Sequence, residues 1–166
     1  MKPPIRALLA ACGAVAFILV AGGGERPIVL ARLAICGAAL AALSATDIAQ
    51  RRIPNRIVLP AAVVCAGLSL AAGVPASGLG AGAALVGVLA IVSLALPHAL
   101  GMGDVKLALL VLAGLDGHAA RALALGLLLA ALAGIGLLVR HGTSARTRTL
   151  PLAPYIAAGS LLALAI

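Results

Sequence analysis

Successive apolar runs constrain this chain more than any other feature. Ala7–Gly24 is an uncharged stretch of 18 residues, and further runs of similar character follow with almost no polar sequence between them. A hydrocarbon core about 30 Å thick takes roughly 20 residues of helix to cross. Backbone in hydrocarbon must satisfy its own polar groups, which a helix does within a single segment. The chain is 64% hydrophobic and 10% charged, with mean hydropathy +1.24, whereas soluble domains carry about 25% charged residues. These values predict an all-α fold, a polytopic transmembrane helical bundle with no room for a soluble domain. Trp is absent and Tyr and Phe occur once each, so the usual interfacial aromatic belt is nearly missing. Abundant Ala, Gly and Leu point instead to close helix packing through small residues.

The runs divide into about seven spans. Ala7–Gly24 is read as a retained helix. Leu9-Ala10-Ala11-Cys12 imitates a cleavage site, but five apolar residues before Cys12 are short for a signal peptide. Residues 1–26 then form an N-terminal helix and turn, and residues 27–166 a six-helix core. The second span runs from Pro27 to Thr46, with Arg32 near its start expected to snorkel to the interface. It ends at Asp47. A basic loop, Ile48–Arg56, follows, and its Pro54 disfavours helix at Ile53. Further spans are Ile57–Gly73, Gly78–Pro97, Asp104–Leu115, Ala119–Val139 and Leu150–Ile166. Asp104–Leu115 reaches only about 18 Å, so its start is expected below the membrane surface or in a locally thinned bilayer.

Net charge is +8, but the basic residues fall in short loops without interleaved aromatics, which argues against a nucleic-acid partner. Topology accounts for them better. With the amino terminus inside, Lys2, Arg6, Arg51, Arg52, Arg56, Lys106, Arg140, Arg146 and Arg148 are cytoplasmic, and only Arg26, Arg32 and Arg121 lie outside. Cys12, Cys36 and Cys65 lie inside apolar runs without C-x-x-C spacing and read as small buried residues. His98, His118 and His141 are loop residues. No metal or organic cofactor is implied.

Two of the four acidic residues then fall at cytoplasmic ends of helices, at similar depth: Asp47 in Ser44-Ala45-Thr46-Asp47, and Asp104 in Leu100-Gly101-Met102-Gly103-Asp104-Val105-Lys106-Leu107. An ionisable group beside hydrocarbon is costly and reads first as functional. Two carboxylates close together in a low-dielectric site share a proton, so that one acts as base on water while the other donates to a carbonyl. Gly101 and Gly103 would let an extended substrate backbone approach. The competing reading pairs Asp47 with Arg51 or Arg52 and makes Asp104 a helix cap. Other protease chemistries lack their motifs: there is no H-E-x-x-H and no G-x-S-x-G.

These residues resemble the type IV prepilin peptidase family of membrane aspartic proteases. Gly101-Met102-Gly103-Asp104-Val105-Lys106-Leu107 matches its G-x-G-D-x-K-L signature. Asp47-Ile48-Ala49-Gln50-Arg51-Arg52-Ile53-Pro54-Asn55 matches its D-x5-I-P-N stretch, and Pro151-Leu152-Ala153-Pro154-Tyr155 looks like the Pro-rich start of its last helix. The resemblance runs from about Ala42 to the carboxyl end. It implies a catalytic pair, Asp47 and Asp104, with Gly101, Gly103, Lys106, Ile53, Pro54 and Asn55 forming the active-site loops. It also implies a prepilin or pseudopilin substrate, a basic leader followed by an apolar helix, cut at the cytoplasmic face of a bacterial inner membrane. The pilus could be of the type IV or tight-adherence kind, or the pseudopilus of type II secretion.

Larger members carry an insert with paired C-x-x-C motifs and also methylate the new amino terminus. This chain has none, so peptidase without methyltransferase is expected. It resembles the short, tight-adherence branch but adds the span within Met1–Gly24. Ala49 and Gln50 stand where members often have a basic residue. The alternative from another class is a proton- or cation-coupled transporter or channel subunit using the same aspartates, and another is a structural membrane subunit. The transporter predicts an inverted repeat, and no convincing repeat relates the halves.

Overall fold

The structure is a computed structural model that describes residues 3–21, 25–74, 79–96, 101–141 and 150–166. Among them are seven α-helices and no strand: α1 Pro3–Ala21, α2 Pro27–Gln50, α3 Asn55–Ala71, α4 Gly80–Ala95, α5 Met102–Leu115, α6 Ala119–His141 and α7 Ala153–Ala165. A 3-10 turn, Asp116–His118, joins α5 to α6. The chain is therefore all-α. Pro27–Gln50 and the continuous helical run Met102–His141 are long and apolar enough to cross a membrane, and the other apolar helices are shorter.

Helix boundaries follow local chemistry. Pro27 occupies the first turn of α2, where its missing N–H costs nothing and its φ suits a helix. The helix does not stop at Asp47, as expected from the sequence, but runs on to Gln50. It stops because Arg51 adopts φ 52, donating its backbone N–H to the Asp47 carbonyl at 2.8 Å. Asp47 thus lies inside the last turn. Pro54 then opens α3, its carbonyl accepting from Ile57 and Val58. At the other boundary α6 continues through Arg140 into His141, beyond the expected Val139. Gly78 and Pro97, the expected ends of the fourth span, lie outside the described residues, as do Lys2, His98, Arg146 and Arg148.

α2 and α5 are central, and the core they share with α3, α6 and α7 is built from Leu40, Leu43, Val58, Leu107, Leu110, Leu123 and Ile156. α6 and α7 meet through glycine. A Cβ at Gly159 would lie 2.6 Å from the Gly126 Cα, closer than any real contact. α1 crosses α2 in the same way, with Gly13 against Gly37 and Phe17 buried beside it. The perimeter is as apolar as the core. Leu19, Val63, Leu70, Leu94 and Val139 are each more than 70% exposed, while Arg32, Asp47 and Asp116 are buried. A surface of that kind suits lipid better than water.

Two sequence expectations fail here. Cys12 is exposed, although Cys36 and Cys65 are buried as expected. Arg32 does not snorkel outward: it is 5% exposed and ion-paired with Asp116. A charge with a carboxylate within reach inside the bundle avoids the conformational and packing cost of reaching the interface.

Candidate active site

One end of the bundle gathers the carboxyl end of α2, the amino ends of α3 and α5, and the amino end of α7. Asp47 is buried in the last turn of α2. Its Oδ2 accepts a hydrogen bond from the Ala153 N–H at 2.9 Å. The first turn of any helix leaves N–H groups without intrahelical partners, and here each is accounted for. Pro154 has none, Tyr155 and Ile156 donate to the Leu152 carbonyl, and Asp47 takes the amide of Ala153. The carboxylate therefore faces the positive end of the α7 dipole. Asp47 is thus a helix-end residue that also has a partner on α7.

Asp104 is the third residue of α5 and half-buried. Its backbone N–H donates to the Gly101 carbonyl at 3.0 Å, and its Oδ2 accepts from the Gly101 N–H at 3.3 Å. This reciprocal pair closes the start of α5 in the manner of a capping box. The cap expected from the sequence is therefore present, one turn inside the helix instead of at its boundary.

The two sequence motifs are physically joined. Lys106 Nζ donates to Asn55 Oδ1 at 3.0 Å, bringing α5 against the first residue of α3. Lys106 thus serves Asn55. Gly103 has a different role from the one expected. A Cβ there would sit 3.2 Å from the Ile53 Cβ, so its bare face is filled by the protein's own loop. Gly101 has only ordinary neighbours and is exposed. Of the two glycines, Gly101 is the one that leaves a face open to a substrate backbone. Asp47, Asp104, Gly101, Gly103, Lys106, Ile53, Pro54 and Asn55 all lie at this end. Arg51, Arg52 and Arg56 form an exposed basic fringe around it.

Sequence reasoning missed the Ala153 amide. A backbone donor has no side-chain signature, and the only signal was the pair of prolines that opens the last helix. It also missed the ion pair at the opposite end of the bundle, where Asp116 holds Arg32 and accepts from Ser69 Oγ at 2.6 Å. No cluster of three or more His, Cys, Asp or Glu suited to a metal occurs among the described residues.

A family model described as the type IV leader peptidase family matches residues 34–139, more than half of the chain. The chain belongs to that family. It is accordingly a membrane-embedded protease of leader peptidase type. The match begins eight residues before Ala42 and takes in both motifs, Asp47–Asn55 and Gly101–Leu107. It ends before Pro151–Tyr155, so the start of α7 contributes to the site from outside the matched region. Comparison with curated proteins and with solved structures gave no match.

Proposed function

We propose that this leader peptidase is a membrane aspartic endopeptidase in which Asp47 and Asp104 act as one water-activating pair. The observation that carries the reading is the convergence of both motifs at one end of the bundle, joined through Lys106 and Asn55. One carboxylate takes a proton from water as it attacks the scissile carbonyl, and the other donates its proton to the carbonyl oxygen. The resulting diol collapses when the proton taken from water passes to the leaving amide nitrogen and a diol hydroxyl returns a proton to the other carboxylate, which restores the pair. Acid and base belong to the pair, and no role is assigned to either member. Neither a metal nor an organic cofactor is required.

The substrate is a prepilin or pseudopilin, cut between its basic leader and its apolar helix. All seven helices cross the inner membrane of a bacterium, residues 1–26 adding a helix and turn to a core of residues 27–166. With the amino terminus cytoplasmic, both aspartates and the Arg51, Arg52, Arg56 fringe face the cytoplasmic leaflet, where anionic headgroups attract cations. Lacking paired C-x-x-C motifs, the chain cleaves without methylating the product.

The test is co-expression with a prepilin, following its gel shift on loss of the leader. The wild type cleaves, and Asp47→Asn and Asp104→Asn leave the precursor uncut while still inserting in the membrane. Full cleavage by either variant would remove that aspartate from the chemistry.

A further inference from the structure

At the end of the bundle opposite the aspartates lies a second group of buried polar side chains that the proteolytic chemistry does not use. Arg32 of α2 is ion-paired with Asp116 at the end of α5, and Ser69 of α3 donates to the other carboxylate oxygen of Asp116 at 2.6 Å. All three are buried. Immediately inside this layer, Cys65 Sγ approaches the Arg32 carbonyl at 3.8 Å. Removing charges from water is expensive even when they are paired, so a buried pair of this kind is a poor way to gain stability alone.

The backbone at Asp116 is also unusual. Its φ of 47 and ψ of −119 place a residue with a side chain where glycine is normally required. Gly117 is the next residue, yet the strained position carries the carboxylate.

The helices joined by this group are the ones that carry the aspartates. On α2, Arg32 and Asp47 are 15 residues apart, about 22 Å of helix. Asp104 in α5 and Asp116 just past its end are 12 apart, about 18 Å. Pinning α2 to α5 at one end therefore sets how far each helix extends toward the other. Apolar packing between the two tolerates axial sliding better than an ion pair with fixed donors and acceptors.

We propose that Arg32, Asp116 and Ser69 are positioning residues that fix the axial register of α2 against α5 and so bring Asp47 level with Asp104. The inference rests on the aspartate-pair reading above. Register loss separates the reacting groups without removing either, and a displacement of about 1 Å can cost about 10²-fold in rate.

The test compares Arg32→Gln, Asp116→Asn, the double variant Arg32→Gln/Asp116→Asn and the conservative Arg32→Lys in the full chain. Single variants strand a buried charge and could misfold, whereas the double variant strands none. Two readouts are taken: kcat and KM on a prepilin, and the yield of an engineered disulfide between Ile53→Cys and Gly103→Cys. The disulfide chains carry alanine at Cys12, Cys36 and Cys65.

The double variant is expected to insert normally and to keep KM within about twofold. Its kcat falls by about 10²-fold, disulfide yield drops with it, and Arg32→Lys restores much of both. Wild-type kcat in the double variant, or lost cleavage with undiminished disulfide, would overturn the proposal. If Asp47→Asn and Asp104→Asn cut as well as the wild type, the aspartate reading falls instead. Disulfide yield then decides the register by itself.

Discussion

The backbone amide of Ala153 donates to Oδ2 of Asp47 at 2.9 Å, across 106 positions of sequence and inside the bundle. One carboxylate in the last turn of α2 thereby satisfies the first donor of α7. Structural and chemical roles of Asp47 should consequently separate by substitution.

Asn keeps an acceptor oxygen for the Ala153 amide but cannot carry the shared proton, whereas Ala loses both. Asp47→Asn is expected to melt in detergent close to wild type while losing cleavage. Asp47→Ala leaves a buried N–H unpaired and should be destabilised by about 1–3 kcal/mol. Equal melting of the two variants would mean that the hydrogen bond contributes nothing to the fold.

The Gly126–Gly159 crossing holds α7 against α6 and so holds Ala153 in place. A methyl at Gly159 meets backbone of α6, which cannot move aside as a side chain tip could. Gly159→Ala should destabilise by about 1–3 kcal/mol and reduce cleavage. Gly136→Ala, in open space on the same helix pair, should be neutral or stabilising by up to about 1 kcal/mol. Thermal unfolding of both variants checks this contrast.

Gly103 faces Ile53 at a separation that a methyl would close to 3.2 Å. Gly103→Ala is therefore expected to impair cleavage by pushing the 51–54 loop from α5. Adding Ile53→Gly removes the Cβ that the new methyl meets and should recover part of the lost rate. Absence of recovery would point to a need for glycine at 103 itself, such as contact with substrate.

Much of this site was legible because carboxylates in apolar sequence stand out, and a division of the chain into seven spans puts Asp47 and Asp104 on one side. The motifs Ile53-Pro54-Asn55 and Gly101–Leu107 added the partners. What sequence could not show were relationships without a local mark. Asp116 looks like a turn residue beside Gly117 and His118, and nothing near Arg32 indicates that its counter-charge lies at the end of α5. Asp47 looked like a helix stop because a charge ended the apolar run, whereas the chain stops only when Arg51 turns left-handed. The glycine at 103 suggested room for a substrate, but Ile53 uses that room. Cys12 was misjudged for a related reason: in a membrane chain, an apolar run says that a residue avoids water, not that protein covers it.

Lys106 and Asn55 form a single contact between the two motifs, so their effects should not add. Lys106→Met and Asn55→Ala are expected to lower cleavage by similar factors, and the double variant to be no worse than the poorer single one. Rates from purified protein in detergent give the cycle directly. Fully multiplicative losses would show that each residue acts separately.

The central claim is that Asp47 and Asp104 work as one unit, and the most direct measurement is kcat for Asp47→Asn, Asp104→Asn and the double variant on a purified prepilin. Residues that act as a unit are grossly non-additive. The account predicts that each single variant falls to the same residual rate as the double. A single variant that retains substantial cleavage, or a double variant that loses the product of two separate factors, would contradict it.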